Sequence, residues 1–133
     1  MAKSDTYLVP VDFSQGSKTA LRHALGLARK KRGKLLLVHI VPLVVQMKTV
    51  SGYLRGELEN LARRFGLKRA EYRLLVLERG DAARAIAELA KKFRVAMIVM
   101  GSHGESGMRR FILGSVAERT LRYAECPVLI VKK

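Results

Sequence analysis

Five short runs of apolar residues alternate along the chain with segments in which apolar residues recur every three or four positions. Runs that are apolar throughout are typical of strands buried on both faces of a sheet, and the longer repeat is typical of amphipathic helices. The predicted strands are residues 7–11, 35–41, 70–77, 95–100 and 127–131. The predicted helices are residues 15–31, 53–65, a segment that begins after Asp81, and 115–123.

Residues that begin and end helices stand where this pattern needs them. Ser14 and Asp81 are typical N-caps, because a short side-chain oxygen accepts a hydrogen bond from an amide of the first turn. Gly33 and Gly66 are typical of the left-handed turn that ends a helix. Strands and helices therefore alternate strictly, and the series begins and ends with a strand.

This alternation predicts a single doubly wound α/β domain, with a five-stranded parallel sheet and helices on both faces. The length of 133 residues fits one domain with one core. In such a sheet, ligands bind beyond the carboxyl ends of the strands, where the winding direction reverses. We expect a functional site at that edge.

The charge of the chain is unusual, since 26 lysines and arginines against 11 aspartates and glutamates give +15. Such a surface attracts polyanions, whether nucleic acid, an anionic membrane or nucleotide phosphates, and does not specify which. Three basic clusters, 29–32, 63–64 and 91–94, fall near predicted helix ends, where cations offset the helix dipole. A nucleic-acid-associated protein is thus one hypothesis, but the four phenylalanines are better placed in the core than on a base-stacking surface.

Several classes of protein are disfavoured by what the sequence lacks. Cys126 is the single cysteine, which excludes an intrachain disulfide, and we interpret it as a buried thiol. His23, His39 and His103 have no partners at the spacing of a zinc site, and we interpret His39 as a hydrogen-bonded core residue. The apolar run 35–45 is too short to span a bilayer and the first residues do not resemble a signal peptide, so we expect a cytoplasmic protein without a membrane partner.

A glycine-rich loop follows the fourth predicted strand. Gly101-Ser-His-Gly104 is followed, after nine intervening residues, by Gly114-Ser115 at the start of the last helix. Amides of such a loop and helix bind phosphate, and glycines allow close approach and a positive φ. Ser115 also opens the capping-box sequence Ser115-Val-Ala-Glu118, so it is a cap, a phosphate ligand or both. The dinucleotide fingerprint and the P-loop sequence are absent, which disfavours a dinucleotide oxidoreductase and a Walker-type NTPase.

The chain resembles the universal stress protein family and specifically its ATP-binding branch. The resemblance rests on this Gly-x-x-Gly, nine-residue, Gly-Ser spacing and on stretches along the whole chain. The stretches are 9–14, 37–40, 98–104, 114–116 and 126–132. The resemblance implies that residues 1–133 form one universal stress protein-like nucleotide-binding domain. It also implies the strand order 3-2-1-4-5, in which the first and fourth strands are neighbours where the winding reverses.

The resemblance further implies where adenosine binds. Pro10 and Asp12 would border it, with the Asp12 carboxylate accepting hydrogen bonds from ribose hydroxyls. From the sequence alone, a local turn or cap role is favoured for Asp12. The Ile40 backbone would meet the adenine edge, and Met100 and Gly101 would lie beside the ribose and base.

The phosphates would be held by Gly104, Gly114, Ser115 and Val116. His103 and Arg109 lie in the same loop region, where both phosphate contact and a purely local or solvated role are open. The complete set of nucleotide-binding candidates is Pro10, Val11, Asp12, Ile40, Met100, Gly101, His103, Gly104, Arg109, Gly114, Ser115 and Val116.

The function implied is that of an ATP-binding regulatory protein of the stress response, with Mg²⁺ or Mn²⁺ on the phosphates. No general base or activated nucleophile is evident, so we expect at most slow hydrolysis. The alternatives are the nucleic-acid-associated protein and a slow ATPase or phosphotransferase. Family members commonly dimerise through their last strands, and the apolar strand near the end of this chain predicts a homodimer.

Overall fold

The computed structural model describes residues 5–43, 47–103 and 113–132, in which five strands and four α-helices alternate. The strands are β1 (Thr6–Pro10), β2 (Lys34–Val41), β3 (Tyr72–Glu78), β4 (Met97–Gly101) and β5 (Val128–Val131). The helices are α1 (Gln15–Lys30), α2 (Met47–Arg64), α3 (Ala82–Lys92) and α4 (Ser115–Tyr123). A short 3₁₀ turn, Arg69–Glu71, precedes β3.

The five strands form one parallel sheet in the order β3-β2-β1-β4-β5. The predicted fold class and strand order are therefore confirmed. The order reverses between β1 and β4, which pair through Tyr7 with Met97 and Leu8 with Ile98. Since β1 continues to β2 on one side and β4 to β5 on the other, a crevice opens beyond the carboxyl ends of β1 and β4.

Two apolar layers cover the sheet. Successive side chains of a strand point to opposite faces, so Val9 packs in the layer of α1 and α2, and Leu8 packs in the layer of α3 and α4. Both residues are fully buried. The central strands are thus buried on both sides, which explains why they are apolar throughout rather than alternating.

Several element boundaries differ from those predicted. Helix α2 begins at Met47, six residues earlier than expected, and the first two residues assigned to the third strand belong to the 3₁₀ turn. Strand β4 begins at Met97 rather than at Val95. The reason is that the Val95 amide donates to the Ala90 carbonyl at 3.1 Å, closing the turn that follows α3.

Of the four helix-end residues predicted for the first three helices, three are confirmed. Ser14 and Asp81 cap α1 and α3, and Gly66 has a φ of 75° after α2. After α1, however, the left-handed residue is Arg32, with a φ of 52°, and not Gly33. Gly33 is required for another reason, because a Cβ at this position would lie 2.0 Å from the Asp5 carbonyl oxygen.

Cys126 lies half-buried just before β5. Burial raises the pKa of its thiol, so the group is protonated at neutral pH and is a poor nucleophile. The thiol predicted to be buried is therefore only half-buried, and it is not activated as a nucleophile. None of the helices in the described ranges is both long and apolar enough to cross a membrane.

Candidate functional site

A cavity of about 420 Å³ lies beyond the carboxyl ends of β1, β2 and β4, where the strand order reverses. The first turns of α3 and α4 contribute its other walls. Its lining residues are Pro10, Val11, Asp12, Ser17, Val38, His39, Ile40, Ala82, Ile86, Met100, Gly101, Ser102, His103, Gly114, Ser115, Val116 and Ala117. The cavity has the size of a site for a small organic ligand, and it lies where ligands bind in folds of this kind.

Asp12 is an exposed carboxylate at the end of β1 that lines the cavity. Its Oδ1 atom accepts hydrogen bonds from the Ser14 amide at 3.0 Å and from the Ser14 hydroxyl. The local turn role favoured by the sequence alone is therefore present. Within the described residues, Oδ2 accepts no hydrogen bond, so this oxygen is available to a hydroxyl donor in the cavity.

Phe13 and His39 hold the turn after β1 against β2. The Phe13 backbone has a φ of 66°, which is rare for a bulky residue, and its ring lies 5.1 Å from that of His39. The Nδ1 atom of His39 lies 2.7 Å from the Val11 carbonyl oxygen, so Nδ1 carries the proton and donates it. His39 is thus hydrogen-bonded, as predicted, but it is half-buried and lines the cavity rather than lying in the core.

Three glycines bring α1, the end of β4 and the start of α4 into backbone contact. A Cβ on Gly101 would lie 2.8 Å from the Gly16 carbonyl, and a Cβ on Gly16 would lie 2.8 Å from the His103 carbonyl oxygen. A Cβ on Gly114 would lie 3.0 Å from the Ser102 carbonyl oxygen. Gly101 and Gly114 do not have a positive φ, which corrects that expectation. Glycine is needed at both because neighbouring main chains leave no room for a side chain.

The N-terminus of α4 opens onto the cavity without a side-chain cap. Gly114 is the N-cap residue and Ser115 is the first helical residue, so the prediction of a capping box with Ser115 as its N-cap is wrong. No described side chain bonds the first-turn amides, whereas Ser14 and Asp81 cap α1 and α3. Among the described residues, the amides of Ser115, Val116 and Ala117 therefore have no acceptor, and the helix dipole favours an anionic one.

His103 adds a second unsatisfied donor or acceptor to this end of the cavity. Its Nδ1 atom lies 3.0 Å from the Ser102 hydroxyl oxygen. Its Nε2 atom is buried and has no hydrogen-bond partner among the described residues. A buried polar atom without a partner is costly, and a ligand in the cavity would remove that cost by bonding it.

The charges that line the cavity are few. Asp12 is the single carboxylate, and neither lysine nor arginine lines the cavity within the described ranges. In those ranges, no group of three or more histidine, cysteine, aspartate or glutamate side chains has the geometry of a metal site. Anion binding by the described residues therefore depends on amide dipoles rather than on paired cations.

Helices α3 and α4 are joined just outside the cavity. Asp81, the N-cap of α3, accepts a hydrogen bond from Arg119 of α4. This bond, and more weakly the bond from the Arg84 amide, lowers the pKa of Asp81. The Arg84 guanidinium lies 4.5 Å from the centre of the Tyr123 ring, which adds a second contact between the two helices.

Ten of the twelve predicted site residues line this cavity, namely Pro10, Val11, Asp12, Ile40, Met100, Gly101, His103, Gly114, Ser115 and Val116. Gly104 and Arg109 lie outside the described residues. The sequence reasoning missed the apolar wall, to which Val38, Ile86 and Ala82 belong. Position at the carboxyl end of β2 was an available signal for Val38 and His39, but apolar residues in a strand or helix are indistinguishable from ordinary core.

The fold and the cavity together define a small doubly wound α/β domain with a cavity at the reversal of strand order, where domains of this kind bind ligands. The chain belongs to the universal stress protein family, which it matches over residues 4–132. It is 33% identical over 141 residues to universal stress protein MJ0531 of Methanocaldococcus jannaschii, covering 95% of this chain and 81% of the relative. It is 31% identical over 143 residues to universal stress protein YxiE of Bacillus subtilis, covering 94% and 97%.

Solved structures of the family share the fold. Universal stress protein UspA from Lactobacillus plantarum has a TM-score of 0.81 at 19% identity, covering 98% of this chain and 99% of that one. A universal stress protein in complex with cAMP has a TM-score of 0.74 at 23% identity, covering 98% of both chains. The universal stress protein from Archaeoglobus fulgidus in complex with dAMP has a TM-score of 0.73 at 24% identity, covering 99% and 100%. At these identities the likeness concerns the fold.

Proposed function

We propose that this chain binds an adenine nucleotide, ATP, in the cavity and acts as a nucleotide-dependent regulatory protein of the stress response. The observation that carries the proposal is that one partly apolar cavity is lined by two kinds of polar group able to bind a ligand. One is the Asp12 carboxylate, and the other is the start of α4, which has no side-chain cap. Fold neighbours bound to cAMP and dAMP support the choice of an adenine nucleotide.

The adenosine end of the proposed site lies between β1 and β2. Oδ2 of Asp12 accepts hydrogen bonds from ribose hydroxyls, a role that suits a carboxylate because it would repel phosphate. The base lies against the apolar side chains of Val38, Ile40 and Ile86, which line the cavity. The Ile40 backbone meets the adenine edge, and Met100 and Gly101 lie beside the ribose and base.

The phosphate end of the proposed site is the start of α4. Amides of Ser115 and Val116 donate to phosphate oxygens, and the Ser115 hydroxyl, which is exposed, adds a donor. The buried Nε2 atom of His103 gains the partner it lacks if it donates to the same phosphates. Gly104 and Arg109, which lie outside the described residues, complete this end in the proposal.

The divalent ion expected with ATP would be bound mainly by the phosphates, because the described residues supply too few ligands. One lining carboxylate, Asp12, is too few ligands for a site built by the described residues alone. A bound Mg²⁺ or Mn²⁺ would neutralise phosphate charge in a cavity that no described lysine or arginine lines. Among the described lining residues, Asp12 is assigned to the ribose and His103 donates to the phosphates, which leaves neither to activate a water, so we propose binding rather than rapid turnover.

Replacement of Gly114 by valine tests the site. A side chain at position 114 would meet the Ser102 carbonyl at 3.0 Å and displace the first turn of α4, so Gly114→Val should weaken ATP binding at least tenfold, or about 1.4 kcal/mol. Gly26→Val is the matched control, because Gly26 is exposed in α1 with no atom within 4 Å of a new Cβ. Affinity is measured by calorimetry with Mg²⁺-ATP, and circular dichroism reports whether each variant is folded.

Equal and weak affinity in the wild type and both variants would overturn the proposal. Phosphate release above that of a heat-treated sample would instead favour the slow ATPase. The homodimer and the cytoplasmic location expected from the sequence remain predictions.

A further inference from the structure

The positive charge of the chain concentrates at the edge of the sheet opposite the cavity. Because the strands are parallel and each helix returns antiparallel to them, α1 and α2 both end at the amino edge. We call the exposed cations at and just beyond these two helix ends the basic edge. They are Arg29, Lys30, Lys31, Arg32, Lys34, Arg63, Arg64, Lys68 and Arg69.

The basic edge is one continuous surface. The Arg29 guanidinium at the end of α1 donates to the Gly66 carbonyl beyond α2 at 2.9 Å. It also pairs with Glu71 at 3.0 Å, and the Glu71 carboxylate accepts from the Lys68 amide at 2.7 Å. These bonds hold the two helix ends together, so their cations act on a partner jointly.

Neighbouring carboxylates do not neutralise this surface. Glu59 and Glu71 pair with Arg63, Arg69 and Arg29, and Asp5 is the other acidic residue beside the ends of α1 and α2. Glu125, at the same edge of the sheet, pairs instead with Lys91 of α3, which lies outside the basic edge. Nine cations against three carboxylates leave an excess of six positive charges. Six of the cations form no ion pair with a described carboxylate, namely Lys30, Lys31, Arg32, Lys34, Arg64 and Lys68.

Helix dipoles do not account for the excess. The C-terminus of a helix is equivalent to about half a negative charge, so two helix ends offset only about one of the six. The cavity does not account for it either, since it lies at the opposite edge and no described lysine or arginine lines it. An excess of like charge destabilises a folded chain by repulsion, and an anionic partner would relieve that repulsion.

We infer that the basic edge binds the phosphate backbone of double-stranded nucleic acid without reading its sequence. Lysine and arginine side chains on an exposed surface are the groups that contact phosphates in non-specific binding. A single strand would need aromatic faces for its bases to stack on. The aromatic rings at this edge are not exposed: Tyr7 is buried, and Phe65 and Tyr72 are half-buried against the core, with Phe65 also covered by the Arg22 guanidinium at 5.4 Å.

An anionic membrane is the less favoured partner. Surface binding to lipid gains most from apolar side chains that enter the bilayer. The large apolar side chains that are exposed in the described chain lie outside the basic edge, and they are Leu43, Tyr53, Val116, Leu121 and Leu129. The basic edge therefore offers charge without an apolar anchor.

The test removes three unpaired cations from the basic edge in the triple variant Lys30→Gln, Lys31→Gln, Arg64→Gln. Its matched control removes three cations from the carboxyl edge, in Lys18→Gln, Arg79→Gln, Lys132→Gln. Both have the same net charge. Nucleotide-free protein is titrated with a random duplex of about 30 base pairs over a series of salt concentrations, and with vesicles that contain anionic phosphatidylglycerol. Thermal unfolding verifies that each variant is folded.

We expect the logarithm of the wild-type affinity to fall with the logarithm of salt concentration with a slope of about −5, from about six phosphate contacts. The basic-edge variant should bind at least tenfold more weakly, with a slope smaller by about 2 to 3, and the control should stay within about twofold of the wild type. A flat salt dependence, an equal loss in the control, or binding to vesicles and not to duplex would each overturn the inference. Because no nucleotide is present, these outcomes are independent of the proposed ATP site.

Discussion

Gly33 is the position at which a single added methyl group should do most damage outside the cavity. A Cβ there would lie 2.0 Å from the Asp5 carbonyl oxygen, which accepts the Lys34 amide at 3.0 Å and so begins the pairing of β1 with β2. The two main chains must separate to admit it, and this breaks that bond.

Gly33→Ala should therefore lower the free energy of unfolding by about 2–3 kcal/mol, as overpacking of a tight contact does. Gly56→Ala is the control, because Gly56 lies within α2 with no atom near its Cβ, and alanine is the better helix former by about 0.5–1 kcal/mol. Urea denaturation of both variants measures the difference. Equal stability of the two would contradict the contact between Asp5 and Gly33.

At the scale of elements, the ion pair of Asp81 with Arg119 fastens α3 to α4 beside the cavity. The hydrogen bond from Arg119 lowers the pKa of Asp81 in the folded chain below its ordinary value of 3.8. The ionised form is then favoured by folding. The stabilisation is present above the ordinary pKa and is lost as pH falls through the lowered one.

Asp81→Asn keeps a capping oxygen for α3 but removes the charge. We expect the melting temperature of the variant to lie below that of the wild type at pH 7, and the gap to close as pH falls below about 4. Glu88→Gln, at an exposed position of α3 without an ion pair in the described chain, should follow the wild type throughout. A gap that stays constant down to pH 2 would show that the charge of Asp81 does not join the helices.

The sequence predicts elements better than it predicts their ends. The central strands of this sheet are apolar because they are buried on both faces, and α1 and α3 carry side-chain caps, so the existence and order of the elements follow from local patterns. The end of α1 was misjudged because tertiary contact, rather than conformation, requires Gly33. The cap of α4 was misjudged because Ser115 has the composition of a capping residue but already lies inside the helix.

The site residues likewise divide into those that the sequence predicts and those that it does not. Residues at strand ends were predictable because the topology brings all carboxyl ends to one edge. The apolar wall of Val38 and Ile86 was not, because nothing in a buried residue type says whether its neighbour is another side chain or a cavity.

At the scale of the whole molecule, β5 is an edge strand of the sheet and consists of apolar residues. Among the strands of the described ranges it pairs only with β4, whereas the opposite edge, β3, carries Arg73 and Glu78. Charged residues on an edge strand discourage pairing with another chain, and β5 has none. The homodimer through the last strand stays a prediction, and this edge is the surface on which it is tested.

Sedimentation should give the mass of two protomers at micromolar concentration, and Leu129→Lys should shift it to one. Leu129 is 37% exposed, so the substitution leaves the protomer core intact. Tyr53→Lys changes an even more exposed apolar residue, on α2, and should leave the dimer unchanged. A wild-type mass of one protomer would refute the prediction.

The close contacts of Gly16, Gly101 and Gly114 with neighbouring main chain affect how variation in this chain is interpreted. Larger residues are sterically excluded from these three positions whether or not a ligand is bound. Intolerance to substitution at these glycines therefore reflects the close approach of main chains and not ligand binding. Ser115 and Val116 present their side chains to solvent and are under no such steric limit. Val116 contributes only its amide to the proposed site, whereas Ser115 also contributes its hydroxyl, so selection on the identity of Ser115 is the cleaner record of the ligand that the cavity binds.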